Sequence, residues 1–227
     1  MVKAVLLDAG GVLLDESNME QRMAELVVQT IRSVAPEYVV DRYWQDVQEA
    51  VNRFAPKIYA SVIWKHCAGD RALFDRLHHD LRARQREAEI PLALMLGIDK
   101  ELIALHERYA LILAGQYGAP IYELLDQVGV SELFVNRLSQ DDFPITKPDP
   151  RYLVMLAESA GFLPEECIMV GDRLDNDIIP AKQSGMGTVL VRTGIHRDQV
   201  ARIPQECPDI DQSSTCGLAN AIVSHWG

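Results

Sequence analysis

Five residues of this 227-residue chain stand where carboxylate and ammonium chemistry would need them. Asp8 follows a short apolar run, residues 2–7, and opens the segment Asp8-Ala-Gly10-Gly11. Asp172, Asp175 and Asp177 follow a second apolar run, residues 167–170, in Gly171-Asp-Arg-Leu-Asp-Asn-Asp177. Lys147 lies in Thr146-Lys-Pro-Asp-Pro150, just ahead of a capped helix. Carboxylates gathered at one edge repel each other unless a cation or a proton intervenes. Mg²⁺ suits such a place, because it takes one or two carboxylates, waters and a substrate phosphate. A nearby lysine adds a point charge for that phosphate.

The elements that must position these residues alternate. Apolar runs at 2–7, 109–113, 133–138, 167–170 and 188–191 read as buried strands. Helical stretches lie between them at 99–107, 120–127 and 149–160. The second has Pro120 in its first turn and Gly129 past its end. The third has Asp149 as N-cap, Pro150 at N1 and Gly161 as its stop. The alternation predicts an α/β, Rossmann-like parallel sheet covered on both faces. Such sheets bind ligands at the carboxyl ends of their strands, which is where the aspartates sit.

Residues 16–90 break the alternation. Ser17 and Glu20 have capping-box spacing, and Met19, Met23, Leu26, Val27, Ile31 and Val34 recur at helical period. Asp41 is placed to cap a second helix with Tyr43, Trp44, Val47, Val51 and Phe54 on its apolar face. Pro56 opens a third helix that Gly69 closes, and Asp70 caps a fourth with Leu73, Phe74, Leu77 and Leu81. The expected division is a core of residues 1–15 and 91–227, with an inserted α-helical domain over 16–90. The insert is large enough for a core of its own.

Composition narrows the partners. With 48% hydrophobic and 24% charged residues the chain is ordinary globular protein. A formal net charge of −11 repels nucleic-acid phosphates and argues against sequence-independent nucleic-acid binding. An anionic substrate would therefore need local help from a metal or a buried lysine. No apolar run approaches the ~20 residues of a membrane span. The N-terminal run is short and ends in a charge, so the first residues read as mature protein. Cys67, Cys167, Cys207 and Cys216 are scattered with no CxxC pair, as for thiols in a reducing cytoplasm. The residues specify no oligomeric state.

Three segments carry a resemblance. Leu-Leu-Asp8-Ala-Gly-Gly-Val-Leu resembles the first motif, Asp-x-Asp-Gly-[Thr/Val]-Leu, of the haloacid dehalogenase-like hydrolases. Lys147-Pro-Asp-Pro is similar to the third motif and Gly171-Asp172-x-x-x-Asn176-Asp177 to the fourth. Their order and approximate spacing match along the whole chain, and the insert resembles the family's C1-type cap. The resemblance implies that Asp8 attacks phosphorus and forms an aspartyl-phosphate, a form of covalent catalysis by carboxylates. It implies Mg²⁺ held by Asp8, the backbone carbonyl of Gly10, and Asp172, with Asp177 as a further ligand or a supporting partner beside Asn176. Gly10, Gly11, Ala114 and Gly115 would lie along the phosphate, and Lys147 would neutralise charge between Asp8 and the phosphoryl oxygens.

Two positions depart from the family pattern. The second aspartate of the first motif, the general acid and base of family phosphatases, is Gly10 here. The second motif should end its strand in Thr or Ser, and the best match after residues 109–113 is Ala114-Gly-Gln116. The expected function is Mg²⁺-dependent hydrolysis of a small phosphorylated metabolite. One rival is a weakly active or inactive phosphate-ligand-binding relative, favoured by Gly10 and Ala114. The other is a haloacid dehalogenase, disfavoured because Asp172 and Asp177 are both kept. Other features read as structural. Asp175 is expected to cap or lie at the surface. His78 and His79 are adjacent and point to different helix faces. Arg82, Arg84 and Arg86 suit a solvated face near a helix C-terminus. Trp44 and Trp64 suit packing, and His66 is the first cap histidine to test for contact with substrate.

Overall fold

The computed structural model describes residues 1–88, 90–115, 119–135, 138 and 142–227. By internal contacts the chain divides into Met1–Asp15 with Leu92–Gly227, and Glu16–Pro91.

The first unit is built on a five-stranded sheet. Its strands are β1 (Ala4–Leu7), β4 (Ala110–Leu113), β5 (Cys167–Gly171), β6 (Gly187–Val191) and β7 (Ile210–Gln212), in the order β4-β1-β5-β6-β7. All four pairings are parallel, with Leu7 in register with Leu113 on one side and Val170 on the other. β1 is wholly buried, as its unbroken apolar run requires. Its alternate residues serve opposite faces. Val5 and Leu7 join a core with α5 (Ile98–His106), α6 (Ala119–Gln127) and α9 (Leu218–Trp226). Ala4 and Leu6 join another with α7 (Pro150–Ser159) and α8 (Ile179–Gln183). Helices thus cover both faces, the arrangement expected from the alternating pattern.

Some elements differ from expectation. Residues 133–138 form no named strand among the described residues, 136 and 137 lying outside them. Phe134 instead makes a single parallel bridge to Leu111. β7 and a short antiparallel pair, β2 (Leu14–Asp15) with β3 (Ala93–Leu94), carry too few residues to show a period. Asp149 caps α7 as expected, accepting from the Arg151 amide at 3.0 Å.

The second unit holds four helices, α1 (Ser17–Arg32), α2 (Val40–Asn52), α3 (Ile58–Lys65) and α4 (Arg71–Glu87). Met23, Val27, Ile31, Tyr43, Val47, Val62 and Leu77 are buried among them. Asp70 caps α4 by accepting from the Leu73 amide at 3.0 Å. Asp41 does not cap: α2 begins after Val39, which places Asp41 inside its helix, while α1 begins after Glu16 with Ser17 as its first residue. Asp46, 2% exposed, accepts from Tyr38 Oη at 2.8 Å, contacts His66 Nε2 at 2.8 Å and pairs with Lys65 Nζ at 2.9 Å. His66 is therefore tied into a polar network of this unit. Among the described residues no helix is long and apolar enough to cross a membrane.

Candidate active site

The site grows from the carboxyl ends of the central strands. The sheet ladder extends one step past β1, because the Asp8 amide donates to the Val170 carbonyl at 2.9 Å and the Ala114 amide to the Leu7 carbonyl at 2.8 Å. The chain then turns sharply, with the amides of Leu13 and Leu14 both returning to the Ala9 carbonyl. Gly11 occupies the left-handed region at φ +68°. A Cβ there would lie 2.9 Å from the Cβ of Asp172 and 2.7 Å from Thr193 Oγ1, so the two loops approach as closely as they do only because the residue is glycine. Gly115 is equally constrained: a Cβ would stand 2.2 Å from that of Ala9.

Asp8, Asp172 and Asp177 converge here. A carboxylate oxygen from each lies within 4.8 Å of the others, and all three residues are buried. Lys147, which precedes α7, inserts its ammonium among them. Its Nζ is 2.8 Å from Asp8 Oδ1 and 2.6 Å from Asp177 Oδ1. Backbone amides add to this: Asp8 Oδ1 also accepts from the Ala9 amide at 2.7 Å, and Asp177 Oδ2 accepts from the Arg173 amide at 3.1 Å. Asn176 reaches Asp177 Oδ1 at 3.4 Å. A single π-helical turn, Leu174–Ile178, aims Asp177 inward, a form common at functional sites.

Three buried carboxylates surround the buried ammonium of Lys147. Burial pushes the Asp177 carboxyl up to about 6, with Asp8 adding to the rise and Lys147 opposing it. Burial works against charge on Lys147, but Asp177 and Asp8 more than offset it and hold the ammonium above its usual range. A divalent cation with a taste for oxygen would balance this set, and the donors are the hard oxygens Mg²⁺ prefers.

Asp8, Lys147, Asp172 and Asp177 are thus brought together, with Gly10 and Gly11 in the turn beside Asp8 and Ala114 at the end of the neighbouring strand. Gln116 lies outside the described residues. Asp175 points away into a half-buried pair with Arg173, Nη2 to Oδ2 2.6 Å, where a surface or capping role was expected. Two residues escaped sequence reading. Thr193, just past β6, donates from Oγ1 to the Gly11 carbonyl at 2.7 Å. Gln199, 1% exposed, accepts from the Leu174 amide at 2.7 Å and donates to Asp175 Oδ1 at 2.8 Å, bracing the loop that carries Asp172 and Asp177. Thr193 follows a strand end and that position was its only signal. Gln199 had none. His196, next to them, is buried, and burial with Arg173 pushes its imidazole down to about 3, keeping it neutral.

A parallel sheet with acidic loops at its strand ends is a frame on which hydrolases are built. A family model of haloacid dehalogenase-like hydrolases matches residues 2–185, and the chain belongs to that family. Over 90 residues it is 34% identical to a glyceraldehyde 3-phosphate phosphatase of Methanopyrus kandleri, covering 40% of this chain and 39% of that protein. Over 131 residues it is 32% identical to a phosphoglycolate phosphatase of Photobacterium profundum, covering 57% and 54%. The chain thus spans from about two-fifths to about half the length of these curated relatives. The fold of a haloacid dehalogenase-like protein of unknown function from Agrobacterium tumefaciens matches with a TM-score of 0.69 over 100% of both chains, at 17% identity.

Proposed function

We propose that this protein is a Mg²⁺-dependent phosphatase of small phosphorylated metabolites that works through an aspartyl-phosphate on Asp8. The observation that carries the reading is the buried meeting of Asp8, Asp172, Asp177 and Lys147 at strand ends. Membership in a hydrolase family and likeness to two phosphatases support it. Asp8, the Gly10 carbonyl and Asp172 would hold Mg²⁺, with Asp177 beside them. When bound, the ion neutralises phosphoryl charge and aligns the ester.

The steps of the chain's own residues follow. Asp8 forms a new O–P bond through a carboxylate oxygen while the ester P–O bond breaks, and the leaving oxygen takes the electron pair. Lys147 holds a positive charge on Asp8 and on the transferring oxygens. Gly10 offers no side-chain proton, so the leaving oxygen takes its proton from water. Hydrolysis of the acyl phosphate then restores Asp8. The free cysteines suit a reducing cytoplasm. The deciding experiment is phosphate release from a panel of phosphorylated metabolites, with and without Mg²⁺, for wild type and Asp8→Asn. Release that persists undiminished in Asp8→Asn, or needs no divalent ion, overturns the reading. A second reading, a phosphate-ligand binder with little turnover, is favoured by Gly10 and Ala114. It predicts Mg²⁺ binding without release from any ester.

A further inference from the structure

The helical unit contains a hollow of about 470 Å³, within the size range of small-molecule sites. Its apolar base is Met23, Ile58 and Leu81, each buried. Lys57, His78 and Arg82 stand around it with Tyr59 and Gln85, and no carboxylate lines it. In a chain of net charge −11 this is a local reversal of sign.

The pairing of the cations sharpens the point. Arg22, Arg42, Arg53, Lys65 and Arg71 in the same unit each lie against an Asp or Glu. The side chains of Lys57 and Arg82 have no ion pair or hydrogen bond among the described residues. They face a half-buried imidazole instead. Burial, then Arg82 and Lys57, hold His78 below its ordinary range, and Asp75 opposes them only in part. His78 is further fixed by stacking on Phe74 at 5.3 Å between centroids. Burial, then the charges of Glu20 and Glu16, hold the Tyr59 phenol above its ordinary range. Gathering like charges around an apolar base costs free energy, and an anion that brings a short carbon body would recover it.

We infer that this hollow binds the anionic group of a small organic acid or phosphate ester, gripped by Lys57 and Arg82 with His78 and Tyr59 beside it. Phosphate and carboxylate share the chemistry, so the test has an arm for each. The full chain in EDTA, which silences a metal-dependent site among Asp8, Asp172 and Asp177, is titrated with inorganic phosphate and separately with malonate. The readout is NMR of the His78 imidazole and the Tyr59 ring. Saturable shifts of both are expected with at least one probe, and the imidazole pKa should rise when the anion is present. Lys57→Gln and Arg82→Gln should each weaken binding roughly tenfold or more, as loss of a direct charge does. Asp172→Asn should bind as wild type does, which separates this site from the proposed catalytic one. Unsaturable or absent shifts with both probes, or wild-type affinity in either Gln variant, overturn the inference. Circular dichroism confirms the fold of each variant, and Lys57→Arg should restore binding.

Discussion

At the scale of single residues, charge count and proton supply make the sharpest predictions. Asp172 is one of three buried carboxylates at the site, so Asp172→Asn should lower Mg²⁺ affinity and shrink the rise in Tm that Mg²⁺ produces by mass action. A Tm indifferent to Mg²⁺ in both proteins would remove the metal from the site. Gly10 makes a second prediction. General acid assistance is typically worth ~10²–10⁴ in rate, and the loss falls on leaving groups that need a proton. Wild type should prefer aryl and acyl phosphates over alkyl phosphates, and Gly10→Asp should raise kcat/KM for alkyl esters more than for p-nitrophenyl phosphate. Rapid alkyl turnover by wild type would mean that another group supplies the proton. His66 stood first for that task from the sequence, but its ring is engaged by Asp46 at 2.8 Å.

At the scale of elements, loops held by side chains from elsewhere decide whether the carboxylates stay together. Gln199→Leu would leave the buried Leu174 amide without a partner, a cost of about 1–3 kcal/mol. The β5–α8 loop should loosen, and Mg²⁺ affinity should fall although no ligand has changed. Calorimetric titration with Mg²⁺ checks this, and an unchanged Kd would confine Gln199 to stability. Gly11→Ala meets both a left-handed backbone and Asp172 at 2.9 Å, and should cost roughly 1–3 kcal/mol in chemical denaturation. These elements differ in how legible they were. α7 was plain, because Asp149, Pro150 and Gly161 mark its ends by local chemistry. The start of α2 was not, because Asp41 is a good cap in isolation yet the helix begins after Val39. The run at 133–138 has the composition of a strand, yet Phe134 contributes one bridge beside β4.

At the scale of the whole molecule, stability should follow pH through buried carboxylates. Burial works against the charge on Asp46, but His66, Lys65 and Tyr38 together hold its carboxyl below the usual carboxylate range. A folded pKa below the unfolded one stabilises the native state above the ordinary carboxylate pKa, and that contribution is lost as pH falls through the depressed value. Urea midpoints should therefore drop on acidification below about pH 4, and Asp46→Ala should flatten that drop while costing on the order of 2 kcal/mol at neutral pH. A wild-type midpoint unchanged into strong acid would show that the network contributes nothing. By itself the sequence determined the sheet's parallel class, the strand ends that carry Asp8 and Asp172, and the capped start of the helix after Lys147. Each of these is written in local composition and periodicity. Only tertiary structure decided that Lys147 is shared between Asp8 and Asp177, that Asp175 turns to Arg173, and that Thr193 and Gln199 brace the loops. Those contacts join residues as far apart as Gly11 and Thr193, and no local pattern encodes a distance that the folded chain alone brings down to 2.7 Å.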